Sequence, residues 1–162
     1  MTNFTFAFPG QGSQIMGMLA DLAATYPVVI DTFKEASDVL GYDLWALTQD
    51  EASDALNQTD KTQPALLTAS VAIWRVWAEI GGKKPTTVAG HSLGEYSALV
   101  CAGVIDFKDA VKLVELRGQL MQQAVPAGVG AMYAIIGLGD DEIAAACEQA
   151  AQGEVVSPVN YN

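Results

Sequence analysis

Near the middle of the chain, residues 86–96 read TTVAGHSLGEY. The first four residues are β-prone and the residues from Glu95 to about Ala102 favour a helix, so a strand is predicted to turn sharply into a helix. Residues 90–94 fit the pattern G-x-S-x-G, in which a serine on a tight strand-to-helix turn projects its hydroxyl from the sheet and the glycines leave it uncrowded. Ser92 is therefore the candidate nucleophile, although a structural turn that holds a small residue would show the same pattern.

Strand and helix patterns alternate along the rest of the chain, which predicts an α/β fold with a mainly parallel sheet. The predicted elements are a strand at 3–8, helices at 16–25 and 28–40, a short helix and loop at 44–57, a helix at about 64–80, an amphipathic helix at 107–124, strands at 131–136 and from 155, and a helix at 140–151. The helix at 64–80 is apolar nearly all round, which is typical of a buried helix. A boundary is predicted at 126–130.

The composition excludes several classes of function. The chain has 162 residues, of which 51% are hydrophobic and 17% charged, which suits a globular core. Its net charge of −11 argues against nucleic-acid binding, which usually needs a basic patch. We find no membrane-length apolar run, no secretory signal pattern and no metal-ligand spacing. Cys101 and Cys147 stand alone and are predicted to be core residues of a protein in the reducing cytoplasm.

A second candidate loop directly follows the strand at 3–8. Residues 8–14 read FPGQGSQ, and a Gly-x-Gly turn lets backbone N–H groups converge on an anion. The spacing differs from G-x-G-x-x-G, so a dinucleotide site is rejected. Beside Ser92 this loop would supply one oxyanion donor, with Gln11 the best-placed residue, and the N–H of Leu93 would supply the other. By itself the loop is more simply interpreted as a plain strand-to-helix turn.

Arg117 is the candidate substrate-binding residue. At about 100° per residue it falls in the middle of the apolar stripe of the helix at 107–124. That stripe runs through Ala110, Leu113, Val114, Leu120, Met121 and Ala124. A core-facing arginine needs a partner, and its planar fork suits a bidentate grip on a carboxylate. The partner could be an internal Asp or Glu, but beside an acyl-accepting serine a substrate carboxylate is favoured, which points to a dicarboxylic acyl group.

His91 is the only histidine in the sequence, and it adjoins Ser92. A general base must come within hydrogen-bond reach of the hydroxyl that it deprotonates. Adjacent side chains on a sharp turn point in divergent directions, so His91 is predicted to pack or to line the site. A role as the catalytic base is the alternative.

Four motifs, in this order, resemble those of the acyltransferase family of fatty-acid and polyketide synthesis. They are FPGQGSQ at 8–14, TQPA at 62–65, GHSLGEY at 90–96 and Arg117. Two further stretches, YDLW at 42–45 and SPVN at 157–160, are most similar to the free-standing bacterial malonyl-CoA:acyl-carrier-protein transacylases of that family. The resemblance extends over essentially the whole chain.

The resemblance implies a function for each candidate residue. Ser92 would accept malonyl from malonyl-CoA and pass it to the phosphopantetheine thiol of acyl carrier protein, with Gln11 and the N–H of Leu93 as the oxyanion hole. Arg117 would bind the malonyl carboxylate and His91 would line the site. No metal and no permanently bound cofactor is implied, and the only partners are the coenzyme A thioester and the carrier protein, with no nucleic acid and no membrane.

The resemblance also implies a fold and a longer protein. Residues 1–127 would be the N-terminal part of a large α/β-hydrolase-like domain, and residues 128–162 the first β-α-β of a small ferredoxin-like inserted subdomain. The general-base histidine of the family and its supporting glutamine lie further along the chain, so the sequence is expected to be a segment that is inactive without the missing C-terminal half. Two alternatives stay open: a serine esterase or thioesterase on a similar core, and a catalytically incomplete module that binds coenzyme A or the carrier protein.

Overall fold

The computed structural model describes residues 3–125 and 128–161, which cluster into two compact units, Met1–Pro126 and Ala127–Asn162. The predicted boundary at 126–130 includes residues 126 and 127, which lie outside the described residues, and the assignment of 1–127 and 128–162 to two domains stays a prediction. Along the chain, the described elements are β1 (Thr5–Phe8), α1 (Ala20–Thr25), α2 (Val28–Leu40), α3 (Leu44–Gln49), a 3-10 turn (Ala55–Asn57), α4 (Thr59–Glu79), β2 (Thr87–Gly90), α5 (Leu93–Cys101), α6 (Phe107–Ala124) and α7 (Asp140–Ala151).

The two strands pair in parallel, with a register that runs from Thr5 opposite Thr87 to Phe8 opposite Gly90. Parallel strands need a crossover connection, and the segment from α1 to α4 makes it. The sheet lies against α4 through Phe6, whose ring centroid is 5.5 Å from those of both Trp74 and Trp77. The predicted mixed α/β fold with parallel strands is confirmed.

The central helix of the first unit is α4, which packs against α2, α5 and α6. It is continuously buried from Thr62 to Ala72, as its apolar sequence predicted. The predicted start near Pro64 is wrong, because α4 begins at Thr59 and holds Pro64 in its interior. Proline cannot donate the usual hydrogen bond to the carbonyl four residues earlier, so α4 lacks that bond at Pro64, which is itself buried. The largest fully buried apolar residues of this core are Phe33, Leu44, Leu67, Leu93, Val29, Val111 and Val114.

In the second unit α7 forms where the sequence predicts a helix, but the strands predicted at 131–136 and from 155 are wrong for the described residues. Tyr133 and Ile136 of the first segment are 81% and 92% exposed. An apolar β-prone segment becomes a strand only when its N–H and C=O groups pair with a neighbouring strand, and residues 128–161 contain no such pairing. Sequence preference alone therefore did not decide the structure of these two segments.

Candidate active site

Ser92 lies at the junction of β2 and α5, and its backbone is strained. Its φ of 55° and ψ of −113° fall outside the regions that L-residues prefer, which costs about 1–3 kcal/mol and persists only where the surroundings impose it. The N–H groups of Gly94 and Glu95 donate to the carbonyls of His91 (2.9 Å) and Ser92 (3.2 Å), which ties the turn to the start of α5. Ser92 itself is exposed. The local geometry is the strand-to-helix turn that the sequence predicts.

Close backbone contacts require the glycines at 90 and 94. A Cβ on Gly90 would collide with the carbonyl of Gly94, and a Cβ on Gly94 would collide with the carbonyl of Phe8 at the end of β1. The first turn of α5 therefore rests directly on the ends of both strands. In this protein the two glycines of G-x-S-x-G serve backbone packing as well as access to the serine.

The loop after β1 borders the turn that carries Ser92. Because Phe8 pairs with Gly90 in a parallel sheet, both strands end at the same edge, and a Cβ on Gly10 would lie 3.2 Å from the carbonyl oxygen of His91. The Ser13 hydroxyl donates to the carbonyl of Gly10 at 2.8 Å, which closes the loop on itself. The two candidate loops of the sequence are therefore neighbours in space.

Two glutamines anchor this loop to the residues that precede and open α4. Gln11 Nε2 donates to Thr59 Oγ1 at 3.3 Å, and Gln14 Nε2 donates to Asn57 Oδ1 at 3.2 Å. The side chain of Gln11 is thus held by α4, which leaves its backbone N–H as the group that could face an oxyanion. The side chain of Leu93, the other candidate donor, is buried. The N–H of Leu93 lies at the start of α5, and no described hydrogen bond uses it.

Arg117 of α6 contacts Ser92 directly. Its Nη2 donates to Ser92 Oγ at 3.1 Å, and its Nη1 donates to Gln63 Oε1 of α4 at 2.8 Å. The guanidinium carbon lies 5.6 Å from the ring centroid of Tyr96, one helical turn after Ser92 on α5. Among the described residues, the ion pairs within 4.0 Å do not include Arg117. The internal salt bridge that the sequence left open is therefore not the arrangement seen here.

The predicted apolar stripe of α6 is only partly right. The buried positions are Phe107, Ala110, Val111, Val114 and Gly118, whereas Leu113, Leu120 and Met121 are 43%, 55% and 44% exposed. Taking about 100° per residue, the buried face is centred roughly 80° from the predicted one, so Arg117 lies at its edge and is half-buried.

The physical reason for this rotation is Gly118. A Cβ there would lie 2.6 Å from Asp60 Cα and 2.7 Å from the Thr59 carbonyl oxygen, so α6 approaches the start of α4 by its backbone. Because this contact depends on the absence of a side chain, the pattern of apolar residues in the sequence could not reveal it.

Gln63 and Tyr96 are the site residues that the sequence reasoning missed. Gln63 is fully buried in a stretch of α4 that is mostly apolar, and its amide faces Arg117. A buried amide nearly always has a hydrogen-bonding partner, so a glutamine inside an apolar helix was the available signal. Tyr96 belongs to the motif GHSLGEY, but nothing in the sequence indicated that its ring would lie under the guanidinium of Arg117.

His91 is adjacent to Ser92 but does not contact its hydroxyl in the described structure. Its side chain is exposed, and its carbonyl, rather than its ring, takes part in the turn. The described side-chain hydrogen bond of Ser92 Oγ comes from Arg117. The geometry thus brings together Ser92, Arg117 and the loop of Gln11, and it leaves His91 beside them without a described hydrogen bond to Ser92 Oγ.

Other reactive side chains lie outside this group. Cys101 and Cys147 are half-buried free thiols, and burial raises the pKa of Cys101 to about 12 although Arg75 lowers it. Burial, with Glu115 next in effect, also raises the pKa of Tyr42. Within residues 3–125 and 128–161, no group of three or more His, Cys, Asp or Glu could hold a metal ion. In the same residues no helix combines the length and hydrophobicity that a membrane crossing requires.

Comparison with known proteins supplies an independent line of information. A family model described as the acyl transferase domain matches residues 5–160. The malonyl CoA-acyl carrier protein transacylase of Escherichia coli K12 is 70% identical over 162 residues, which is 100% of this chain and 52% of that protein. The chain thus spans about half the length of the curated relatives it matches.

Solved structures agree with the sequence relatives. An acyl carrier protein S-malonyltransferase from Vibrio cholerae superposes with a TM-score of 0.91 at 74% identity, covering 99% of this chain and 53% of that one. A malonyl-transacylase solved in complex with its type II polyketide acyl-carrier protein superposes with a TM-score of 0.94 at 69% identity, covering 99% and 52%. The fold described above is therefore that of the corresponding half of these proteins.

Proposed function

The chain belongs to the acyl transferase domain family, and on that premise we propose that its protein transfers malonyl from malonyl-CoA to the phosphopantetheine thiol of acyl carrier protein. The observation that carries the proposal is the 3.1 Å hydrogen bond from Arg117 Nη2 to Ser92 Oγ. An acyl-accepting hydroxyl beside a guanidinium suits an acyl group that ends in a carboxylate. Malonyl transfer between coenzyme A and acyl carrier protein is the reaction that the relatives' names state.

The proposed reaction has two half-reactions through an ester on Ser92. Ser92 Oγ attacks the thioester carbonyl, its proton passes to a base, and the tetrahedral intermediate expels the coenzyme A thiolate, which takes up that proton. The phosphopantetheine thiol of the carrier then attacks the ester, and the same steps in reverse restore the Ser92 hydroxyl. Transfer rather than hydrolysis requires that water be kept from the ester.

Gln11 and Leu93 are proposed to stabilise the oxyanion of both steps. The N–H of Leu93 opens α5, where the helix dipole favours negative charge. The loop of Gln11 lies at the same edge of the sheet, and the bond from Gln11 to Thr59 would hold it there. Donors fixed in this way before the reaction are the ones that stabilise a developing charge best.

Arg117 is proposed to bind the malonyl carboxylate, and His91 to line the site. A guanidinium has five N–H groups, and two of them are used for Gln63 and Ser92. Three remain, which is enough for a two-pronged contact with a carboxylate. Because Arg117 reaches Ser92 Oγ itself, the acyl chain between the ester and the carboxylate must be short, as it is in malonyl.

The general base is proposed to lie outside residues 1–162. In this family it is a histidine supported by a glutamine, and the relatives are about twice as long as this chain. We also propose that Met1–Pro126 is the first part of an α/β-hydrolase-like domain and that the residues after it open a ferredoxin-like subdomain. Two free thiols suit a setting in the reducing cytoplasm.

The proposal is tested by exposing the whole protein to radioactive malonyl-CoA and measuring its intact mass. Wild type should gain one malonyl ester, and Ser92→Ala should gain none, because the acceptor oxygen is gone. Ser53→Ala is the control, since Ser53 lies outside the site and only caps the local turn at Ala55.

Each other outcome points elsewhere. Persistent labelling of Ser92→Ala would reject Ser92 as the nucleophile. Free malonic acid released without a carrier thiol would support the thioesterase, and binding without any adduct would support the incomplete binding module.

A further inference from the structure

Gln63 connects the two helices that form one wall of the site. Its side chain is fully buried in α4, and its amide lies between two residues of α6. Oε1 accepts from Arg117 Nη1 at 2.8 Å, and Nε2 donates to Met121 Sδ at 3.3 Å. The amide therefore bonds at both ends to residues one helical turn apart.

These two bonds fix which way the amide points. Arginine only donates hydrogen bonds, so the carbonyl oxygen of Gln63 must face Arg117. The NH2 group then faces the thioether of Met121, which is a weak acceptor. With its amide fixed, Gln63 holds Nη1 in place while Nη2 of the same planar group reaches Ser92 Oγ. One buried side chain thus sets the direction of the guanidinium.

The chemistry of Gln63 matters as much as its position. An amide oxygen accepts a hydrogen bond without carrying a charge, so it directs the guanidinium and leaves the positive charge intact. A carboxylate at the same place would make an ion pair with Arg117 in a buried setting and compete with any carboxylate that arrives on a substrate. The described contacts of Arg117 are all neutral: an amide, a hydroxyl and an aromatic ring.

We propose that Gln63 is a positioning residue that aims Arg117 at Ser92 and, by being uncharged, sets the preference for acyl groups that carry a carboxylate. The inference rests on the proposed function, because it concerns the same site. It predicts that the charge of residue 63, and not merely its size, controls the ratio of malonyl to acetyl transfer.

The test measures kcat/KM of the whole protein with malonyl-CoA and with acetyl-CoA. In Gln63→Glu the malonyl value should fall by about tenfold or more through a higher KM, because a charged hydrogen bond is worth roughly 1.5–3 kcal/mol. The acetyl value should fall much less, so the ratio changes. Gln63→Met, which is similar in size and uncharged, removes the amide's acceptor and its donor without adding a charge, and it should change the ratio less. Gln119→Glu is the control, since it adds the same charge to an exposed position two residues from Arg117.

The proposal is overturned if Gln63→Glu leaves the malonyl to acetyl ratio of kcat/KM unchanged, which includes an equal fall in both values. It is also overturned if Gln119→Glu changes that ratio as much as Gln63→Glu does. If Gln63→Glu does not fold, Gln63→Met decides: an unchanged malonyl KM then overturns the proposal. The proposed function fails separately, if the wild type takes an acyl group from neither donor. In that event calorimetry with malonate and acetate still tests Gln63, and equal weakening of both anions by Gln63→Glu overturns its role.

Discussion

Two arginines of this protein each donate to an Oε atom and a hydroxyl and lie near an aromatic ring, but the two Oε acceptors differ in charge. Arg75 of α4 donates through Nη1 to Glu35 Oε2 at 2.8 Å and to Thr32 Oγ1 at 3.1 Å, and its guanidinium carbon lies 4.9 Å from the ring centroid of Phe107. Arg117 likewise has an Oε acceptor at 2.8 Å, a hydroxyl at 3.1 Å and an aromatic ring. The acceptor is a carboxylate at Arg75 and an amide at Arg117.

The difference separates a structural arginine from an available one. At Arg75 the carboxylate of Glu35 balances the charge, and the pair joins α4 to α2. At Arg117 the amide of Gln63 accepts at the same distance but is neutral, and it leaves the charge facing Ser92. A count of buried or half-buried arginines would not distinguish the two, whereas the chemistry of the 2.8 Å acceptor does.

The largest expected effect comes from removing each arginine in turn. Arg117→Ala should lower malonyl kcat/KM by about 100-fold, because a two-pronged charged contact is lost, while acetyl transfer is retained. Arg75→Ala should leave the malonyl to acetyl ratio unchanged and lower the free energy of unfolding by about 1 kcal/mol, as expected for a partly exposed ion pair. Steady-state kinetics with both donors and urea unfolding measure the two effects. A changed malonyl to acetyl ratio in Arg75→Ala would contradict the distinction between the two arginines.

A smaller effect is expected from Gly118→Ala, which moves Arg117 without replacing it. This variant tests whether the position of the guanidinium matters as well as its charge. The new Cβ would meet Asp60 Cα and the Thr59 carbonyl at 2.6 and 2.7 Å, so α6 must shift from α4 at a cost of about 1–3 kcal/mol. The bonds of Arg117 to Gln63 and Ser92 should weaken, with a fall of about fivefold in the malonyl to acetyl ratio. Gly139→Ala is the matched control, because its Cβ meets only Glu142 Oε2 at 3.4 Å. Equal kinetics in both variants would contradict the expectation.

The smallest effect concerns Cys101, whose thiol reports on the charge of Arg75. Burial raises its pKa from 9.0 to about 12, and Arg75 opposes that rise. The thiol therefore ionises in the unfolded chain before it does in the folded one, and the free energy of unfolding should fall as pH rises from about 9 towards 12.

The Glu35→Gln variant links this thiol to the comparison of the two arginines. It would leave Arg75 with an amide, as Arg117 has, and the unbalanced charge should lower the pKa of Cys101 and flatten that pH dependence. Urea unfolding at pH 8 and pH 10 measures how much the free energy of unfolding falls with pH, with Cys101→Ala as the reference. An unchanged slope in Glu35→Gln would mean that Glu35 does not balance Arg75.

What the sequence could predict depended on how local each feature is. The turn at Ser92 was predicted because its strand, glycines and helix are contiguous in the chain. The contact between Gln63 and Arg117 joins residues 54 apart, and nothing in either local pattern gives that pairing. The face of α6 was misplaced because Gly118 contributes a close approach and no apolar side chain, and the strands of the second unit were wrong because pairing, not propensity, makes a strand.

The parallel pairing of β1 with β2 also has a consequence for the order in which the protein is made. Thr5 pairs with Thr87, which lies 82 residues (87 − 5) further along the chain, so Thr87 must leave the ribosome before the first strand can meet its partner. Helices form from local contacts within microseconds, whereas distant pairings close late because the connecting loop must first be ordered. The helices of the crossover can therefore assemble on a nascent chain in which the turn at Ser92 has not yet formed. We expect Ser92 to acquire its strained conformation only when synthesis has passed α5.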